Sequence, residues 1–87
     1  MSEALPIDLA EQAGKALLAK GWRLISAESC TGGLLAASVT EIAGSSDWFE
    51  GAFVTYRLSA ITAMIGVSPD MLETHGAVSE PVARAMA

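Results

Sequence analysis

The apolar positions of this chain change rhythm several times, and each change marks an element. Over residues 6–20, Leu9, Ala13, Ala16 and Leu17 fall at helical spacing, with Ile7 and Ala10 alongside. Pro6, the early acids Asp8 and Glu11, Lys20 at the end and Gly21 just beyond are start and stop signals, so this stretch predicts an amphipathic helix. Residues 22–27 are apolar without clean alternation, which predicts a mostly buried strand. In the small, apolar run 34–43, Leu34, Leu35, Val39 and Ile42 form the inner face of a second predicted helix, stopped by Gly44. Ser45, Ser46 and Asp47 read as a loop, and residues 52–56 as the strand within the apolar run that begins at Trp48. Residues 57–65 fit no single pattern; one reading has Ser59 capping a short helix that ends at Gly66. Ser68-Pro69-Asp70 is a clearer helix start, with its stop at Gly76. Ser79-Glu80-Pro81 opens a last helix that turns Val82, Ala83 and Met86 inward.

Composition narrows the class. The 87 residues suffice for one small domain, and the 52% hydrophobic content excludes a disordered chain. A net charge of −5 argues against a nucleic-acid or anionic membrane surface, although a small phosphorylated ligand needs only local donors. Cys30 is the single cysteine, so no internal disulfide forms and a reducing cytosol is expected. No apolar run reaches the length of a membrane span, and residues 1–8 lack the basic and apolar blocks of a secretory leader. Two strands are few for four or five helices, and the last helical pattern runs to Ala87 without a stop residue. The expectation is that another chain completes the sheet or that the sequence is a fragment.

The chemistry concentrates in Ala27-Glu28-Ser29-Cys30-Thr31-Gly32-Gly33, a predicted strand-to-helix turn. Its glycines let a backbone approach a ligand, and a helix start offers N–H groups to an oxyanion. Ser29 is the candidate nucleophile of an acyl-transfer step, although a serine hydroxyl needs a base to take its proton. The plainer reading, favoured by local pattern alone, makes Ser29 a helix cap and the glycines packing residues. Cys30 is a conceivable thiolate nucleophile but reads better as a small buried packing residue. Glu28 either orients a base, binds a ligand hydroxyl, or is a solvated strand end. His75, the only histidine, sits near a helix C-terminus, where a cation is favoured anyway. One His and one Cys are too few for zinc, and the spacing of Asp47 and Glu50 does not demand magnesium. No metal or cofactor is expected, and Trp48, Phe49 and Phe53 read as core or interface.

Five stretches in order carry a resemblance: residues 27–33, then Ile42-Ala43-Gly44-Ser45-Ser46, Phe53-Val54-Thr55-Tyr56, Ile65-Gly66-Val67, and His75-Gly76-Ala77-Val78-Ser79-Glu80. From about Leu9 onward the chain resembles the C-terminal domain family of the competence/damage-inducible protein CinA, which includes a stand-alone bacterial nicotinamide mononucleotide deamidase. The resemblance implies an α/β fold with helices packed on a mixed β-sheet, in one incomplete domain over residues 1–87. It also implies a cytoplasmic homo-oligomer that acts on a pyridine nucleotide without nucleic acid or membrane as partner. The implied reaction hydrolyses the amide of nicotinamide mononucleotide, with a serine nucleophile and a lysine base. By position, Ser29 is that nucleophile, Thr31, Gly32 and Gly33 line the oxyanion and substrate site beside Glu28, and Tyr56 lies close. The family's base lysine falls on Ile61, which cannot take a proton. Family members also continue for about another half-domain, with a glycine-rich loop that helps form the site. The alternatives are therefore a silent relative that binds a nucleotide or a partner domain, and a chain that packs only through oligomer contacts.

Overall fold

The computed structural model describes residues 5–87; the reading that the N-terminus carries no secretory leader lies, for residues 1–4, outside the described residues. The elements are α1 (Ile7–Lys20), β1 (Leu24–Ser29), α2 (Leu34–Thr40), a 3-10 turn (Ser45–Asp47), β2 (Phe49–Thr55), α3 (Leu58–Ala60) running on into a π-helical turn (Ile61–Ile65), α4 (Pro69–His75) and α5 (Glu80–Met86). Among the described residues, β1 and β2 pair as a two-stranded parallel sheet, so the α/β class expected from the sequence holds. The chain forms two compact units: residues up to Ser26 with Gly33–Ala52, and Ala27–Gly32 with Phe53–Ala87.

In the first unit, Gly21 closes α1 at φ 70°. Its N–H donates to Leu18 O at 3.1 Å and the Trp22 N–H to Leu17 O at 3.0 Å, the paired bonds of a Schellman cap. Trp22 is consumed by that cap, so β1 begins at Leu24, whose N–H donates to Trp48 O at 2.7 Å, and not at residue 22 as predicted. The strand is less buried than predicted, with Ile25 exposed. The buried stripe of α1 is also rotated from the predicted one. Ala10 and Gly14 are buried, with Ile7 and Leu17 half-buried, while Leu9, Ala13 and Ala16 face solvent. The cause is the buried Trp48: a Cβ at Gly14 would overlap its indole ring, so the smallest residues of the helix turn toward it.

The second helix is shorter than predicted, and Leu34 and Leu35 are exposed while Ser38 and Val39 are buried. The Thr40 hydroxyl donates back to Ala36 O at 2.9 Å, and Ile42 N–H then bonds at three-residue spacing to Val39 O. That competition ends the α-helix before Gly44. Gly44 instead opens the 3-10 turn, at φ 81°, where the sequence predicted a loop.

The second unit is built on Ile61, Val67, Leu72 and Val82, with Met71, Ala77 and Met86 packed against them. Residues 58–65 are helical, but Arg57 precedes the helix and Ser59 is not its cap; Gly66 ends it at φ 82°. The start and stop of α4 and the start of α5 fall as predicted. Ser68 Oγ accepts from Met71 N–H at 3.2 Å, and Ser79 Oγ accepts from Val82 N–H at 3.4 Å while donating to Gly76 O at 2.8 Å. Val82 points into the core as predicted, but Ala83 is exposed. Because Ser79 bonds on both sides, Ser79→Ala is expected to cost about 1 kcal/mol. For a domain of this size that lowers the thermal midpoint by about 4–8 °C, measured by circular dichroism.

Candidate active site

Ser29 is the last residue of β1, half-buried, and belongs to the second unit with Glu28, Cys30, Thr31 and Gly32. It is not a helix cap: α2 is preceded by Gly33 at φ 97° with no side-chain cap, and Gly33 belongs to the first unit. The plain reading of Ser29 as a cap is therefore corrected. The strand holds Ser29 because β1 starts two residues late and ends two residues late.

The Ser29 hydroxyl donates to the Met86 thioether, 4.0 Å from Oγ to Sδ, a weak acceptor that takes no proton. Met86 also packs against the apolar cluster that contains Ile61. Ile61 itself has no exposed surface. The chain's lysines, Lys15 and Lys20, both lie in α1, so the second unit contains none. His75 ends α4 and is exposed, and Arg84 Nε donates to Glu80 Oε1 at 3.0 Å. An arginine cannot serve as a base because its guanidinium stays protonated.

Glu28 is buried, not a solvated strand end. The Thr31 hydroxyl donates to Glu28 Oε1 at 2.7 Å, and the Thr55 hydroxyl to the Glu28 carbonyl at 2.8 Å. Thr55, at the end of β2, is buried, and its bond to the Glu28 carbonyl was not expected from the sequence, where it is a polar residue following the apolar pair Phe53-Val54. Cys30, expected to be buried, is exposed and sits at φ 70°, the one described non-glycine residue with positive φ. Gly32 follows at φ 66°. Tyr56, one residue past β2, is 78% exposed, its phenol facing solvent.

Glu50, considered as a magnesium ligand, pairs with Arg23 at 3.0 Å on the exposed surface. Among the described residues, no three His, Cys, Asp or Glu side chains gather to hold a metal ion, and no helix is long and apolar enough to cross a membrane. A shallow apolar groove lies elsewhere in the second unit, lined by Leu58, Ser59, Thr62, Pro69, Leu72 and Glu73, none of them a predicted site residue.

The model of the CinA C-terminal domain matches residues 7–87. A CinA-like protein of Syntrophobacter fumaroxidans is 60% identical over 74 residues, which is 85% of this chain and 18% of that protein. The nicotinamide-nucleotide amidohydrolase PncC of Escherichia coli K12 is 53% identical over all 87 residues, 53% of its own length. Among solved structures, the competence/damage-inducible protein CihA of Agrobacterium tumefaciens superposes with a TM-score of 0.90 at 41% identity, covering 100% of this chain and 53% of that one. A CinA superfamily protein of Escherichia coli gives a TM-score of 0.89 at 35% identity, covering 100% and 51%. The chain thus spans about half the length of the amidohydrolase relatives it matches.

Proposed function

The chain belongs to the CinA C-terminal domain family, and from that membership we propose that it works within a nicotinamide mononucleotide amidohydrolase. The reaction is the hydrolysis of the nicotinamide amide to give nicotinic acid mononucleotide and ammonia, a step of pyridine nucleotide recycling. The observation that carries this reading is the 53% identity to nicotinamide-nucleotide amidohydrolases across the whole chain. In this reading residues 1–87 belong to one incomplete domain of the family, and the protein is a cytoplasmic homo-oligomer. The free, exposed Cys30 suits such a reducing compartment.

Ser29 Oγ attacks the amide carbonyl carbon as its proton passes to solvent water, and the leaving amide nitrogen takes a proton from water to depart as ammonia. The carbonyl oxygen takes up charge as the tetrahedral intermediate develops, and the backbone N–H groups of Thr31 and Gly32 are its donors. Release of ammonia leaves an acyl-serine that water hydrolyses to the free acid. Tyr56, exposed beyond β2, meets the substrate. The second unit holds no lysine to receive the Ser29 proton, and Ile61 stands where the family's lysine falls. Loss of a positioned base costs about 10²- to 10⁴-fold in rate.

Two observations favour a second reading, a silent relative that binds the nucleotide without turnover. Ile61 is completely buried among apolar side chains, and the neighbour of the Ser29 hydroxyl is a thioether. Ammonia release and calorimetric binding of nicotinamide mononucleotide, on this chain and on Ser29→Ala, separate the two. The expected result is binding by both and slow release by the parent alone. Binding by both with no release selects the silent relative. Neither binding nor release removes both readings.

A further inference from the structure

The turn that carries Ser29 is closed by a contact that the proposed reaction does not itself use. Glu28 is 4% exposed, and burial of a carboxylate is costly unless hydrogen bonds satisfy it. The Thr31 hydroxyl, on an otherwise exposed residue, reaches back three positions to Glu28 Oε1 at 2.7 Å. The Glu28 carbonyl is held independently by Thr55 at 2.8 Å. Residue 28 is therefore anchored through both its main chain and its side chain, and only Ser29 and Cys30 lie between it and Thr31. Cys30 occupies the left-handed region at φ 70°, where a side chain with a Cβ is disfavoured. Such a conformation persists only where its surroundings over-determine it.

We propose that Glu28 is a positioning residue whose buried carboxylate clamps the Thr31 hydroxyl and so holds the Ser29–Cys30 segment in its strained, presented conformation. The catalytic meaning of the clamp rests on the amidohydrolase reading; its mechanical action does not. Glu28 acts through Thr31 and the turn, without touching substrate. The clamp also explains why a cysteine is tolerated at a backbone position that favours glycine: the strain is balanced by the Thr31–Glu28 hydrogen bond across the same turn.

Amide hydrogen exchange followed by NMR on the 87-residue chain tests this, with Thr31→Val removing the hydroxyl at constant shape and Thr31→Ser restoring it. In Thr31→Val, exchange at Ser29, Cys30 and Gly32 is expected to accelerate about tenfold or more, with the amides of α4 unchanged. In Thr31→Ser, the parent rates return. Exchange at the turn within about twofold of the parent in Thr31→Val overturns the clamp, as does equal acceleration in α4, which marks general destabilisation. The same samples are then measured with nicotinamide mononucleotide. Slowed exchange at the turn in the parent, lost in Thr31→Val, supports positioning for this substrate. A nucleotide effect of equal size in both overturns it. If the nucleotide has no effect on the parent while Thr31→Val still loosens the turn, the amidohydrolase reading fails and the mechanical clamp stands.

Discussion

Ile61→Lys is expected to cost the folded chain about 4–5 kcal/mol at pH 7. Ile61 is fully buried against Val67, Leu72 and Val82, with Met71, Ala77 and Met86 around them and no acid in the cluster. An ammonium placed there gives up its proton sooner than its hydration, and buried lysines fall as low as about pH 5–6 in pKa. Holding the amine neutral at pH 7 then costs about 1.36 kcal/mol for each of the roughly 3.4 units below its ordinary value. An 87-residue domain has a total stability of only about 4–13 kcal/mol, so the variant is marginal. The sign of the pH dependence follows from proton counting. The unfolded variant binds the proton and the folded one does not, so its stability rises with pH. The ionisation part of the deficit narrows from pH 7 upward and fades near pH 10.4, the ordinary lysine value, leaving the cost of a neutral amine in an apolar cluster. Urea denaturation at pH 7 and 9.5 reads this directly, and a deficit that ignores pH would show that the amine reaches solvent. The same physics bears on activity. A buried, neutral amine is what a general base requires, and Met86, which the Ser29 hydroxyl meets, packs against the cluster that contains position 61. Ammonia release gained in Ile61→Lys together with this pH-dependent loss of stability would mark the residue as the exchange of a base for a better core.

Trp48→Ala is expected to cost about 3–5 kcal/mol, and the sign of Gly14→Ala is expected to depend on it. Trp48 is 2% exposed, and truncating so buried an aromatic ring leaves a cavity. A Cβ at Gly14 would overlap that ring, so Gly14→Ala in the parent forces the indole or the helix to move, at about 1–3 kcal/mol net. With the indole gone, the added methyl meets space, and alanine's better helix propensity makes the same change stabilising by up to about 1 kcal/mol. Urea midpoints of the parent, both single variants and the double variant close this cycle. Additive effects would mean that Gly14 is chosen for some reason other than the ring.

What could be read along the chain is what short-range physics governs. The Ser68-Pro69 and Ser79-Glu80-Pro81 starts have their partners three residues away, at Met71 and Val82, and the structure forms both caps. Gly21 and Gly66 end helices because only backbone conformation within the turn is at stake. The α/β class was implied by the family resemblance, which rested on five motifs in order. The outcomes set by distant partners were not legible. Helix α1 carries two overlapping apolar stripes, Leu9-Ala13-Ala16 and Ile7-Ala10-Gly14-Leu17, and only the arrival of Trp48 decides which is buried. Ser29 finds its hydroxyl partner 57 positions later, at Met86. Glu28 is buried, against its type, with its side chain held by Thr31 and its backbone carbonyl by Thr55, 27 positions away. Cys30 is exposed, against its type, because the turn holding it is closed by that same carboxylate. A pattern records what each residue prefers, and the sequence by itself determined the elements in which those preferences are local. Where one bulky ring or one buried charge competes for several, only the tertiary structure decides which preference is met.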